Sequence, residues 1–240
     1  MNIDQCQYHL TFDIDWAPDF IINEIQNNLD KRHIKATFFI THPSDTIQDL
    51  VKSGHNIGLH PNFLPGTSQG NNTLEIIEYL LNLHPDATSL RTHGLVQSSS
   101  LMIEIFTNFP QLKYDLSVFL YKFPHIVPSD FPFKDITIKR INYNWEDDIA
   151  FHDPLFSWDS ILPFAQTMVF DFHPIHIGLN SNSLENYSQL KQELQKKPLY
   201  QANQNEISKY RNNTPGTNDF FNQIITSKMK PLDFDALTKL

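Results

Sequence analysis

Two aspartates stand two residues apart in LTFDIDW, Asp13 and Asp15. Residues i and i+2 of a strand project to the same side, so a strand ending here presents both carboxylates together. Two bare carboxylates this close repel, and a divalent cation between them removes the conflict. A pair of solvated loop acids is the other reading of an isolated DxD. His60 directly follows the short apolar run NIGL and is a candidate ligand, since imidazole suits zinc and other borderline metals. Further on, LRTHG places Arg91 and His93 after another apolar stretch. Arg91 is a permanent cation able to orient a carboxylate such as Asp13 through its forked donors, or to serve as a surface ion-pair partner. His93 projects to the same side as Arg91. Late in the chain, VFDFHPIH carries His173 and His176 around Pro174, which imposes an extended or turn conformation. Both imidazoles are therefore expected at a strand edge rather than on a helix.

The elements that must position these groups alternate through the first half. Residues 7–13, 34–40, 56–59 and 87–91 read as strands. Between and after them, Ile21, Ile25 and Leu29 mark a helix opened by Pro18. Residues 44–53, 73–84 and 99–109 give three more. Repeated βα predicts a parallel sheet or barrel with helices outside, whose functional groups gather at the C-terminal ends of the strands. Residues 120–165 are rich in aromatics and prolines and read as long loops around a strand at 136–141. Glu146-Asp147-Asp148 reads there by default as a solvated acidic turn, with binding of ligand hydroxyls or assistance to a metal as the other readings. A late strand at 166–172 and helices at 183–194 and 217–229 follow. The expected organisation is a single domain over 1–240, with a motif-bearing core at about 8–178 and a C-terminal helical extension at 180–240.

The 240 residues include 18 Lys and Arg against 27 Asp and Glu, a formal charge of −9 that argues against a nucleic-acid partner. Eleven histidines beside those acids supply metal ligands generously, whereas the one cysteine, Cys6, can build neither an internal disulfide nor a cysteine zinc site. No apolar run approaches the ~20 residues of a membrane span. The start lacks the charged and apolar pattern of a signal peptide, so the expected location is the cytoplasm.

LTFDID, ATFF, GHNIGLH, an Arg after the next strand and a late strand ending in His resemble, in that order over residues 8–178, the NodB-homology polysaccharide deacetylases of carbohydrate esterase family four. FDIDWAPDF, IGLHPNF, RTHGLVQSS and FHPIH look closer to the divergent WbmS-like branch associated with O-antigen biosynthesis. The resemblance implies an α/β fold, a deformed (β/α) barrel of about seven strands. It also implies metal-dependent removal of an acyl group from an amino sugar, nucleotide-linked or lipid-linked. Hydrolysis of another C–N bond and sugar binding without turnover are the alternatives. By resemblance Asp13 is the catalytic base, Asp15 and His60 are metal ligands, Arg91 orients the base, and His173 or His176 is the acid. The second His of the family's HxxxH motif would fall at position 64, where this chain has Leu64. Either Asn62 or His93 must then complete the site; His93 is favoured, because imidazole binds Zn2+ far better than an amide.

Overall fold

The computed structural model describes residues 2–240. In β1 (Gln7–Asp13), Tyr8, Leu10 and Phe12 alternate with His9, Thr11 and Asp13, and all six are buried. A strand covered on both faces belongs inside a parallel sheet. β1 accordingly lies between β2 (Thr37–Ile40) and β9 (Thr167–Phe172), parallel to both. From β2 the parallel order continues through β3 (Asn56–Leu59), β4 (Ser89–Leu90), β5 (Tyr114–Phe119) and β7 (Ile136–Tyr143), with β6 (Ser129–Phe133) antiparallel at the edge.

The sheet curls because one continuous stretch serves both of its ends. β7 pairs with β5, and after Asn144 the two residues of β8 (Trp145–Glu146) pair with β9. Seven staves therefore form the ring: β1, β2, β3, β4, β5, β7–β8 and β9. Asn144 at the corner is fully buried and stands in for missing ladder bonds. Its Oδ1 accepts from Val169 N (2.8 Å), and its Nδ2 donates to Phe123 O (3.0 Å) and Thr167 O (3.3 Å).

Helices α1 (Asp19–Asp30), α2 (Thr46–Lys52), α3 (Thr73–Leu83) and α4 (Ser99–Asn108) follow the first four strands, close to their expected positions. The outward residues of β1 and β9 join Ile21, Ile25 and Leu29 of α1 in the larger apolar cluster. Inside the ring a smaller cluster holds Phe39, Leu116, Ile141, Tyr143 and Val169. Gly58 is required there: a Cβ would stand 2.5 Å from the Phe39 ring.

Three expectations need correction. β5 escapes a hydrophobic reading because its buried Asp115 pairs with Arg140 at 2.7 Å, putting a charge inside an apolar strand. The stretch read as loops contains the β6–β7 hairpin, whose Pro132 is tolerated because β6 is an edge strand, and the short helix α5 (Asp147–Ala150) after β8. Pro174 opens a helix instead of preventing one. It occupies the first turn of α6 (Pro174–Leu179), where a missing N–H costs nothing, so His173 is the N-cap and His176 lies inside the helix.

The C-terminal region brings α7 (Glu185–Leu194), α8 (Gln204–Lys209) and α9 (Thr217–Thr226), then returns to the sheet. β10 (Lys230–Pro231) pairs with Gln7 and Tyr8 of β1, below the point where β2 begins. Phe234 and Leu237 of α10 (Phe234–Leu237) join the inner cluster from that end. Among the described residues, no helix is long and apolar enough to cross a membrane.

Candidate active site

Inward positions on adjacent staves build the site from below. Thr11 and Asp13 of β1, Asp171 of β9 and Arg91 beyond β4 meet inside the ring, all buried. The Arg91 guanidinium lies between the Phe39 ring (4.7 Å) and the Tyr143 ring (4.0 Å). Its Nε donates to Leu116 O (3.1 Å), and its Nη1 reaches Thr11 Oγ1 (2.9 Å), Asp13 Oδ1 (3.0 Å) and Asp171 Oδ1. One cation thus serves two carboxylates. Burial pushes the Asp171 carboxyl well above its ordinary value, against the pull of Arg91.

One layer higher the chain turns sharply after β1. Asp15 and Trp16 both adopt left-handed backbone (φ 36° and 56°), a conformation that costs roughly 1–3 kcal/mol per non-glycine residue and is kept where geometry matters more than local comfort. The turn brings Asp15 Oδ1 to 3.1 Å from His60 Nε2 and 3.2 Å from His93 Nδ1, with the two nitrogens 3.3 Å apart. Three donor atoms on a tetrahedral zinc, each about 2.0–2.1 Å from it, lie roughly 3.3–3.4 Å from one another, so this face fits the ion. Hydrogen bonds from both imidazoles hold the Asp15 carboxyl well below its ordinary value although burial opposes this. Leu64, at the position of the family's second motif His, is exposed. Asn62 is committed to its own turn, its Oδ1 accepting from Leu64 N (2.9 Å).

His173 borders this group, its Nε2 3.8 Å from Asp15 Oδ2. Its other side is fixed by Asp147, whose Oδ1 lies 2.7 Å from His173 Nδ1 and whose Oδ2 accepts from His173 N (2.9 Å). Burial alone would lower the imidazole's pKa; the Asp147 and Asp148 carboxylates raise it well above the ordinary value instead. His176 points elsewhere, with Nε2 3.0 Å from Asp148 Oδ1 and Nδ1 3.1 Å from Ser181 Oγ. The acidic run is therefore no solvated turn. Asp147 is wholly buried, and burial pushes Glu146, which accepts from the Tyr143 hydroxyl (2.9 Å), up to about 7.

Of the residues singled out in the sequence, Asp13, Asp15, His60, Arg91, His93 and His173 converge, and His176 sits one turn away. Thr11 and Asp171 were missed, and Asp147 was named only within the acidic run read as a solvated turn. Asp171 stands two before His173 on the same strand face, a spacing that alternation reveals. Asp147 carries no comparable signal, because its burial depends on a helix that starts after β8.

The chain matches the family model described as WbmS-like polysaccharide deacetylase over residues 10–191. It is similar to a solved structure from Bordetella bronchiseptica, assigned as a polysaccharide deacetylase involved in O-antigen biosynthesis. The two share 28% identity over 92% of this chain and 90% of that one, with a TM-score of 0.75. A family 4 acetyl xylan esterase from Clostridium thermocellum, solved with a cobalt ion, is more distant: 16% identity over 70% of this chain and 74% of that one, TM-score 0.40. Among curated protein sequences, none matches. With three quarters of its length under one family model, the chain belongs to the WbmS-like polysaccharide deacetylases.

Proposed function

We propose that this protein hydrolyses an acyl group, acetyl in the simplest case, from the nitrogen of an amino sugar, using a divalent cation held by Asp15, His60 and His93. The observation that carries the reading is the meeting of those three donor atoms at 3.1–3.3 Å beside a carboxylate anchored by a buried arginine. When bound, such a cation, Zn2+ on this donor set, supplies a Lewis acid for the acyl carbonyl and acidifies a water.

The chain's own residues do the rest. Asp13 is the base: Arg91 fixes its Oδ1, while Oδ2 accepts no hydrogen bond among the described residues and takes a proton from the attacking water. Water oxygen bonds to the acyl carbon, the C–N bond breaks, and a carboxylic acid and a free amine leave. His173, clamped by Asp147, donates the proton that the departing nitrogen requires. The Bordetella protein's assignment to O-antigen biosynthesis supports a cell-surface polysaccharide precursor as the substrate.

The test is acetate and free-amine release from N-acetylated amino sugars by zinc-loaded protein. Turnover by the wild type, lowered by about 10²-fold or more in Asp13→Asn, is expected. Sugar binding with no release of acid by the zinc-loaded wild type would leave a binding protein in place of an enzyme.

A further inference from the structure

Beside Asp15 opens a cavity of about 680 Å3, within the range of small-ligand sites. Trp16, His42, Tyr79, Tyr187 and Tyr200 line it, and neither Lys nor Arg does. Its far wall, around Tyr200, comes from the C-terminal region, beyond the stretch that the family model covers. None of the aromatics of 119–133 lines it.

His42 supplies the second observation. The residue is 3% exposed and its Nδ1 lies 2.8 Å from Thr41 Oγ1, but its Nε2 is buried with no partner among the described residues. Tyr200 stacks on the imidazole (5.3 Å between centroids, 27° between planes) and is itself 43% exposed at the rim. An orphaned buried nitrogen is costly, and a ligand atom that pairs with it recovers that cost. Depending on the tautomer, Nε2 needs either an acceptor or a donor, and a hydroxyl group is both. Aromatic bodies with polar tips suit a ring with an apolar face and a hydroxylated edge. A diphosphate or carboxylate finds neither Lys nor Arg in this lining to pair with.

We propose that this cavity is the subsite for an uncharged glycosyl ring of the substrate, stacked at Tyr200 and hydrogen-bonded to His42 Nε2. Any anionic carrier on the same substrate lies outside it. The proposal rests on the deacetylase reading, and its test separates the two.

Binding of N-acetylglucosamine, its β-1,4 dimer and UDP-N-acetylglucosamine to zinc-loaded protein is measured by calorimetry, and acetate release is followed in parallel. The neutral sugars are expected to bind, with the nucleotide sugar no tighter. Tyr200→Ala and His42→Phe are expected to weaken binding and raise KM by about tenfold, a loss falling on KM more than on kcat. Tyr200→Phe, which keeps the ring, should restore most of it. Absence of sugar binding, affinity indifferent to both substitutions, or a nucleotide sugar bound tenfold tighter than its neutral counterpart overturns the proposal. Acetate release with unaltered KM in the variants refutes the subsite alone. Sugar binding through His42 and Tyr200 without acetate release refutes only the hydrolase.

Discussion

Around Arg91 and Asp15, each charged side chain is fixed by something the fold supplies, and this predicts which substitutions act on chemistry. Asp147 touches His173 twice, through backbone N–H and ring, and both contacts are buried. Asp147→Asn preserves the volume but leaves one acceptor where two carboxylate oxygens served the His173 ring and its backbone N–H. Steady-state kinetics should show kcat falling about 10–100-fold with zinc content unchanged, because Asp147 acts through His173 rather than through the cation. A variant as active as wild type would remove Asp147 from the proton path. Most of these residues were legible as types after strands: Asp13, Asp15, His60, Arg91, His93 and His173. The choice between His173 and His176 was not, because it depends on Pro174 opening a helix that turns the second imidazole toward Asp148.

At the scale of elements, the strands and helices of the first half were readable because apolar periodicity and burial agree there. The stretch from β5 to β8 was not, because its core positions hold polar groups that depend on distant partners. Asp115 needs Arg140, and Asn144 needs Phe123, Thr167 and Val169. Asn144 joins the two ends of the curled sheet, so Asn144→Ala leaves one N–H and two carbonyls buried without side-chain partners. Urea denaturation should show a loss of about 2–4 kcal/mol. A loss below 1 kcal/mol would mean that β7 and β8 hold the corner through backbone pairing alone.

The whole molecule closes on itself through its C-terminus, and that closure depends on pH. His9, fully buried, places Nδ1 2.8 Å from Leu232 O and Nε2 2.9 Å from Thr37 Oγ1, tying β1 both to the segment that carries α10 and to β2. Burial pushes its pKa down to about 4, against an ordinary value of 6.5. The folded pKa is depressed, so the unfolded chain binds the proton first as pH falls. The stability that neutral His9 contributes is complete above about pH 6.5 and is lost progressively between there and pH 4, to a total of about 3 kcal/mol. The urea midpoint should drop over that window, and drop less in His9→Gln; equal slopes in the two proteins would contradict the assignment. At the mouth of the same ring, everything proposed about the chemistry depends on His93 occupying the place that Leu64 leaves vacant. Elemental analysis of the purified protein after zinc loading, beside Asp15→Ala, His60→Ala and His93→Ala, addresses this directly. About one zinc per chain is expected in the wild type, and its loss in all three variants. Full zinc content in His93→Ala, or none in the folded wild type, would contradict that expectation.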